Sequence, residues 1–242
     1  MKFKLSDLIV FENNDLVALN KPSGMLSVPD REGEEPSLKD HLKQQYPEIY
    51  TVHRLDKETS GLIIFAKTAS AHKHFSKQFE ERKTVKIYLG LLIGSLQKTE
   101  GTVDAPIAEN QVKRGSMLIH KRGKSAITDY KLLKDFKRYS WVQFRIHTGR
   151  THQIRVHAKE LGHPLVGDVV YGDGKPVLLS SFKNKFKLGK EMEEEKPLLN
   201  RLALHAFQLK ITGENGELFE LEAPLYKDMR VTLLQLEKFL KK

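Results

Sequence analysis

The run LIIFAK at 62–67 has to enter a core, yet the residues just before it, HRLDKETSG at 53–61, carry Arg54, Asp56, Lys57 and Glu58. Charge set against the start of a buried strand constrains the chain, because the strand holds whatever precedes it. A loop that only met solvent has no need to place Arg54 and Asp56 along one edge ahead of the core. Two readings fit Asp56. In one it joins Thr59 and Ser60 in a turn entering the strand at Leu62 and bonds its own backbone. In the other the strand makes it a fixed carboxylate among cations, ionised at neutral pH and able to serve as nucleophile or base.

Further apolar runs extend the frame. LIVFE and LVALNK read as a hairpin around Asn13, Asn14 and Asp15. VKIYLGLLIG is a second long apolar strand. SWVQFRIH alternates, with Val142, Phe144 and Ile146 on one face and Gln143, Arg145 and His147 on the other. LALHAFQLKIT and LFELEAP pair around GENG. Helical patterns lie between. Ser37 with Asp40 signals a short capped helix stopped by Pro47, and Ala71, Phe75 and Phe79 stripe a longer one. Thr151 is the expected N-cap of a helix that buries Ile154, Ala158 and Leu161 and ends at Gly162. Asp228 opens a closing helix with Met229, Leu233, Leu236 and Leu240 inward. Such irregular interleaving predicts an α+β fold, with a mixed, largely antiparallel central sheet flanked by helices, in a single domain over 1–242. SSFKNKFKLGKEMEEEKP, at about 180–197, reads as a charged surface insertion.

Composition narrows the partners. Of 242 residues 39% are hydrophobic and 30% charged, the balance of a soluble globular protein. No apolar run approaches the roughly 20 residues that span a bilayer. Acids interrupt MKFKLSDLIVFENND too early for a secretory leader, and a cytoplasmic address is expected. The absence of cysteine removes disulfides, thiolate chemistry and zinc sites built on cysteine. A net charge of +10 with a pI near 9.5 suits a polyanion as partner. Between Lys121 and Arg155, the cations Lys121, Arg122, Lys124, Lys131, Lys134, Lys137, Arg138, Arg145, Arg150 and Arg155 are opposed by Asp129 and Asp135 alone. Counterion release from phosphates rewards such a stretch. Thr151 and the backbone N–H groups after it offer a further phosphate site.

His147, His152 and His157 recur every five residues. On a helix that spacing turns side chains apart by about 140°; on a strand it sends them to opposite faces. With no carboxylate among them and no HExxH pattern, no metal is expected. GSMLIHKRGKSAITDY lacks the glycine pattern of a nucleotide cofactor site. His53 is expected to brace the loop by hydrogen bonding.

HRLDKETSGLIIFAK resembles the signature of the RluA-type pseudouridine synthases. NKPSGMLSVP, KIYLGLL, GRTHQIRVHAKELGHPLVGD and RLALHAFQL resemble further segments of that family in its order, so the likeness covers most of the chain. It implies the pseudouridine synthase catalytic fold and the isomerisation of specific uridines to pseudouridine in structured rRNA or tRNA. Uracil is detached from ribose, turned, and rejoined through carbon, without a cofactor or net redox change. The resemblance makes Asp56 the essential aspartate, whether it attacks the sugar, attacks the base or removes a sugar proton. It makes Tyr88 the residue packed on the target ring, Arg155 the cation paired with the carboxylate, and Arg54 the residue filling the gap left by the extracted base. Arg122, Lys124, Arg150 and Thr151 are then expected to bind the RNA.

Physical chemistry supports those types. Pulling a base from the stack costs a few kcal/mol. A planar guanidinium can stack in the vacancy, and an aromatic face adds about 1–3 kcal/mol per base. Plainer readings stand beside each: Tyr88 as core, Arg155 as a solvated helix residue, Arg54 as partner of Asp56 or Glu58. A non-catalytic RNA-binding or ribosome-assembly protein on the same fold is the rival function, and a hydrolase releasing uracil a second. Relatives often carry a small RNA-binding domain ahead of the catalytic one. Here the first catalytic strand begins near residue 8, so that domain is expected to be missing, with a monomer gripping RNA through 121–155.

Overall fold

The computed structural model describes residues 4–30, 33–188 and 193–240. In chain order its elements are β1 (Ile9–Glu12), β2 (Leu16–Lys21), α1 (Leu38–Lys43), β3 (Tyr50–Thr51), β4 (Ser60–Ala66), α2 (Ala69–Glu80), β5 (Val85–Ile93) and β6 (Glu100–Asp104). There follow β7 (Ile107–Glu109), β8 (Met117–Ile119), β9 (Ile127–Asp135), β10 (Tyr139–Ile146), α3 (Gln153–Glu160), β11 (Leu204–Thr212), β12 (Leu218–Glu222) and α4 (Lys227–Leu240). The chain divides into two compact units built from separated segments. The first takes the chain up to Tyr88 with Arg145–His147 and His205–Pro224, and the second takes Leu89–Phe144, Thr148–Leu204 and the segment from Leu225 onward.

In the first unit the strand order is β1-β2-β4-β11, with β12 paired to β11 and β3 to β4. Its pairings are antiparallel, apart from β4 and β11, which run parallel. Asn13 turns the first hairpin by accepting the N–H groups of Asp15 and Leu16 at 2.9 Å. Ser37 and Asp40 form the expected capping box on α1. Every residue of β4 is buried, and the period of two explains how. Leu62, Ile64 and Ala66 pack with Phe75, Leu209 and Phe219, while Ile63 and Phe65 pack with Leu38, Leu42 and Leu55.

In the second unit β5, β10, β9 and β6 are neighbours in that order, and β7 and β8 form a separate hairpin. The alternation over SWVQFRIH holds: Val142, Phe144 and Ile146 are buried, Arg145 exposed. Together these pairings make the largely antiparallel α+β architecture that the sequence predicts. No described helix is long and apolar enough to cross a membrane.

Three details differ from expectation. In α4 the buried positions are Met229, Thr232 and Leu236 rather than an all-leucine stripe. The Thr232 hydroxyl satisfies itself by donating to the Asp228 carbonyl at 2.8 Å. The described part of 180–197 is tied down rather than a free excursion: Phe182 is buried and meets Phe239 at 6.4 Å. Ser180 N–H also bonds the Glu195 carboxylate at 3.0 Å. Residues 189–192 of that stretch lie outside the described residues. Finally, Lys134 of the basic stretch is paired with Glu237 of α4, which removes one cation from any outward-facing set.

One backbone contact fixes the start of β4. Gly61 has φ +112°, and a Cβ there would lie 2.2 Å from the Ala206 carbonyl oxygen. Only glycine permits both that conformation and that approach. Gly61→Ala should therefore lose more than about 2 kcal/mol of stability. Urea unfolding would measure it, and a loss below half that value would mean β4 and β11 part easily.

Candidate active site

Asp56 stands in the segment between β3 and β4, which has no strand ladder of its own. Its backbone is held from outside. Ser27 accepts the Leu55 N–H at 3.1 Å and donates its hydroxyl to the Leu55 carbonyl at 2.8 Å. Gly24 N–H donates to the Lys57 carbonyl at 2.9 Å, and the Ser23 hydroxyl to that of Glu58 at 2.6 Å. Within the segment, Thr59 N–H closes a turn on the Asp56 carbonyl at 3.1 Å. Leu55 is buried while Asp56 is half-buried and Arg54 exposed. The side chains on either side of the anchor therefore reach outward from a pinned backbone.

Tyr88 is half-buried on β5 and packs against the cluster that contains Leu55, Ile63 and Phe65. Burial, and after it the field of the Asp56 carboxylate, push its hydroxyl well above the ordinary phenol range. Asp56 and Tyr88 thus sense each other within the first unit, and the phenol keeps its proton at neutral pH. His53 is the brace expected of it. Its Nε2 accepts the Ile64 N–H at 3.1 Å, and its ring stacks on Phe79 at 4.6 Å.

The remaining expected site residues lie in the second unit. Arg155, expected from its helix position to be either solvated or paired with the catalytic carboxylate, is buried. Its Nε and Nη2 each donate to Asp168 at 2.8 Å, and the guanidinium lies over the Tyr171 ring at 5.0 Å. Burial alone raises the Asp168 carboxyl, but the hydrogen bonds and charge of Arg155, with the Val170 and Tyr171 N–H groups, hold it below the usual range. Asp168 was not anticipated; GHPLVGD offers no local signal that its aspartate turns inward.

Thr151 is not the helix cap. The N-cap of α3 is His152, at φ 57° and without a side-chain bond. Gln153 organises the turn instead: its Oε1 accepts the Thr148 hydroxyl at 2.7 Å and the Arg150 N–H at 3.0 Å. Its amide donates to the Ile127 carbonyl at 2.9 Å. Thr151 is exposed, and Arg150 is tethered through Nε to the Ser125 carbonyl at 2.9 Å. Arg122 and Lys124 are exposed on the turn before β9. Two of the spaced histidines serve structure here, His152 bonding the Tyr171 hydroxyl at 2.8 Å and His157 the Thr128 hydroxyl at 2.9 Å. Among the described residues no group of three or more His, Asp or Glu is arranged to hold a metal.

The fold and these residues can be set beside known proteins. Residues 15–160 match the RNA pseudouridylate synthase family model. The chain belongs to that family. It is 35% identical to ribosomal large subunit pseudouridine synthase D of Haemophilus influenzae, over 91% of this chain and 68% of the relative. The corresponding protein of Blochmanniella floridana is 37% identical, over 97% of this chain and 73% of the relative. Human RNA pseudouridylate synthase domain containing 4 superposes with a TM-score of 0.74 at 26% identity, covering 96% of this chain and 94% of that one. Human RNA pseudouridylate synthase domain containing 1 gives 0.70 at 26%, covering 98% and 97%. The family isomerises uridines in RNA to pseudouridine, and the protein is an RNA pseudouridine synthase.

The brace gives a pH signature. Burial, with the charge of Lys86 second, pushes His53 down to about 3 from the ordinary 6.5. Between those values the unfolded chain binds a proton that the folded chain refuses, so stability falls as pH drops below about 6.5. By pH 5 the loss from this group should reach about 2 kcal/mol. His53→Gln keeps an acceptor for Ile64 and does not titrate. Its urea-unfolding stability should fall about 2 kcal/mol less between pH 7 and 5; parallel curves would remove His53 as the cause.

Proposed function

We propose that Asp56 is the catalytic aspartate and that the enzyme acts on RNA of the large ribosomal subunit, flipping the target uridine out of its stack. The observation that carries the catalytic part is the pairing of a pinned carboxylate with a buried, protonated phenol whose acidity that carboxylate suppresses. A carboxylate so held can attack carbon or take a proton without wandering. Tyr88 offers a ring face for the uracil and a hydroxyl that can donate but not accept a proton at neutral pH. Arg54, exposed two residues from Asp56, is assigned to the space the base leaves. Arg155 is retained in the catalytic set on the resemblance of GRTHQIRVHAKELGHPLVGD. Arg150, Thr151, Arg122 and Lys124 are assigned to the RNA backbone. The ribosomal choice is supported by relatives at 35–37% identity whose names specify that subunit.

In the reaction the N1–C1′ bond of uridine breaks, a C5–C1′ bond forms, C5 gives up its proton and N1 gains one. Asp56→Asn should abolish pseudouridine formation while RNA affinity stays within about threefold, a change of under 1 kcal/mol. Undiminished turnover removes Asp56 from the chemistry. Free uracil in wild-type reactions would instead indicate hydrolysis. Mapping pseudouridines in total RNA with and without the gene tests the ribosomal assignment, which a change confined to tRNA would overturn.

The exposed cations make a separate prediction. Replacing Arg122 and Lys124 together by Glu should weaken RNA binding and reduce the slope of log K against log salt by about 2, near 0.9 per lost duplex phosphate contact. An unchanged slope places the RNA path elsewhere.

A further inference from the structure

Lys21 is the largest fully buried side chain on a short roll of core residues otherwise dominated by phenylalanine, leucine and isoleucine. A lysine ammonium has three N–H donors and no acceptor, and burying it is costly unless they are satisfied. Here its Nζ donates to the carbonyls of Pro22 at 2.9 Å, Met25 at 2.8 Å and Lys57 at 3.0 Å. Two of those oxygens belong to the turn that follows β2. The third belongs to the residue after Asp56, and the same oxygen receives the Gly24 N–H.

We propose that Lys21 is a positioning residue for Asp56: its ammonium ties the loop that carries the carboxylate to the turn after β2, through the carbonyl one residue beyond Asp56. The inference rests on the reading of Asp56 as the catalytic acid. The neighbouring links to Leu55 and Glu58 come from neutral serine hydroxyls, whereas Lys21 brings a full charge to the carbonyl it holds, which makes the bond stronger. Its position is set independently, because Lys21 and Gly61 are register partners across β2 and β4. The ammonium is therefore fixed to the sheet, and the loop is fixed to the ammonium. A methionine in its place matches the stem but leaves the three carbonyls without that donor. The loop can then shift, and misplacement on the scale of 1 Å lowers a reaction rate by about 100-fold.

The test uses Lys21→Met, Lys21→Gln and Asp56→Asn beside the wild type, in single-turnover pseudouridine formation, RNA binding and amide exchange. Lys21→Met should lower the rate at saturating RNA by about 10- to 100-fold, with the dissociation constant changed by less than about threefold. Exchange at the Gly24 and Thr59 amides should accelerate, while the Ile63 and Phe65 amides of β4 stay protected. Lys21→Gln, with an amide that can reach part of the cage, should recover some of the rate, and it decides the matter if Lys21→Met does not fold. A wild-type rate in a folded Lys21 variant overturns the proposal. So does a rate loss matched by equal loss of protection in β4, which is a general structural effect. Wild-type turnover by Asp56→Asn would instead defeat the reading of the site beneath it, whereas the Gly24 and Thr59 exchange still reports on the tether alone.

Discussion

The backbone of residues 55–58 is held by groups from 21–27, and the arrangement of the first unit turns on that contact. Between β3 and β4 there is no ladder to pair main-chain groups, yet Leu55 is buried and cannot leave its N–H and carbonyl unmet. Ser27 answers both. Gly24, at φ +83°, lets the turn fold back so that its own N–H reaches Lys57. The same end of the sheet carries the tightest approach in β4, Gly61 against Ala206. A glycine contact and a set of side-chain bonds therefore do for a loop what strand pairing does for a sheet, and Asp56 inherits the rigidity.

Two buried cations are satisfied in different ways. Lys21 meets carbonyl dipoles, and Arg155 meets a carboxylate that is itself supported by two backbone N–H groups. Both are costly to bury and strongly directional once satisfied, so each fixes its neighbours more than it adds net stability. The exposed pairs Lys57–Glu35 and Lys83–Glu81 are screened by water and contribute little to either purpose.

The sheet strands were legible wherever apolar residues ran long or alternated, as in β2, β4, β5, β10 and β11, because burial of a strand leaves that period in the chain. The stretch from 95 to 138 was not. β6 exposes both its ends and β7 and β8 are three residues each, too short to show a period. Asp56, Tyr88 and the capping box at Ser37 were legible because each acts near its own sequence neighbours. The cap of α3 failed because a distant demand won: Gln153 bonds Ile127 and Thr148, and the chain reaches it through a left-handed His152 that a threonine hydroxyl at 151 does not predict. Asp168, Lys21 and Lys134 found partners far along the chain, and charge composition alone cannot reveal such partners.

The electrostatics divide the chemistry between the two groups on the first unit. The Asp56 carboxylate makes the neighbouring phenol harder to ionise, and burial does so more strongly. A phenolate at Tyr88 would place a second negative charge beside the first in a partly dry setting, at the cost of both. A neutral hydroxyl there costs nothing and still presents a ring face and a donor. Any step that needs a base at neutral pH must therefore draw on a group other than Tyr88, and the carboxylate is the one held in place to supply it.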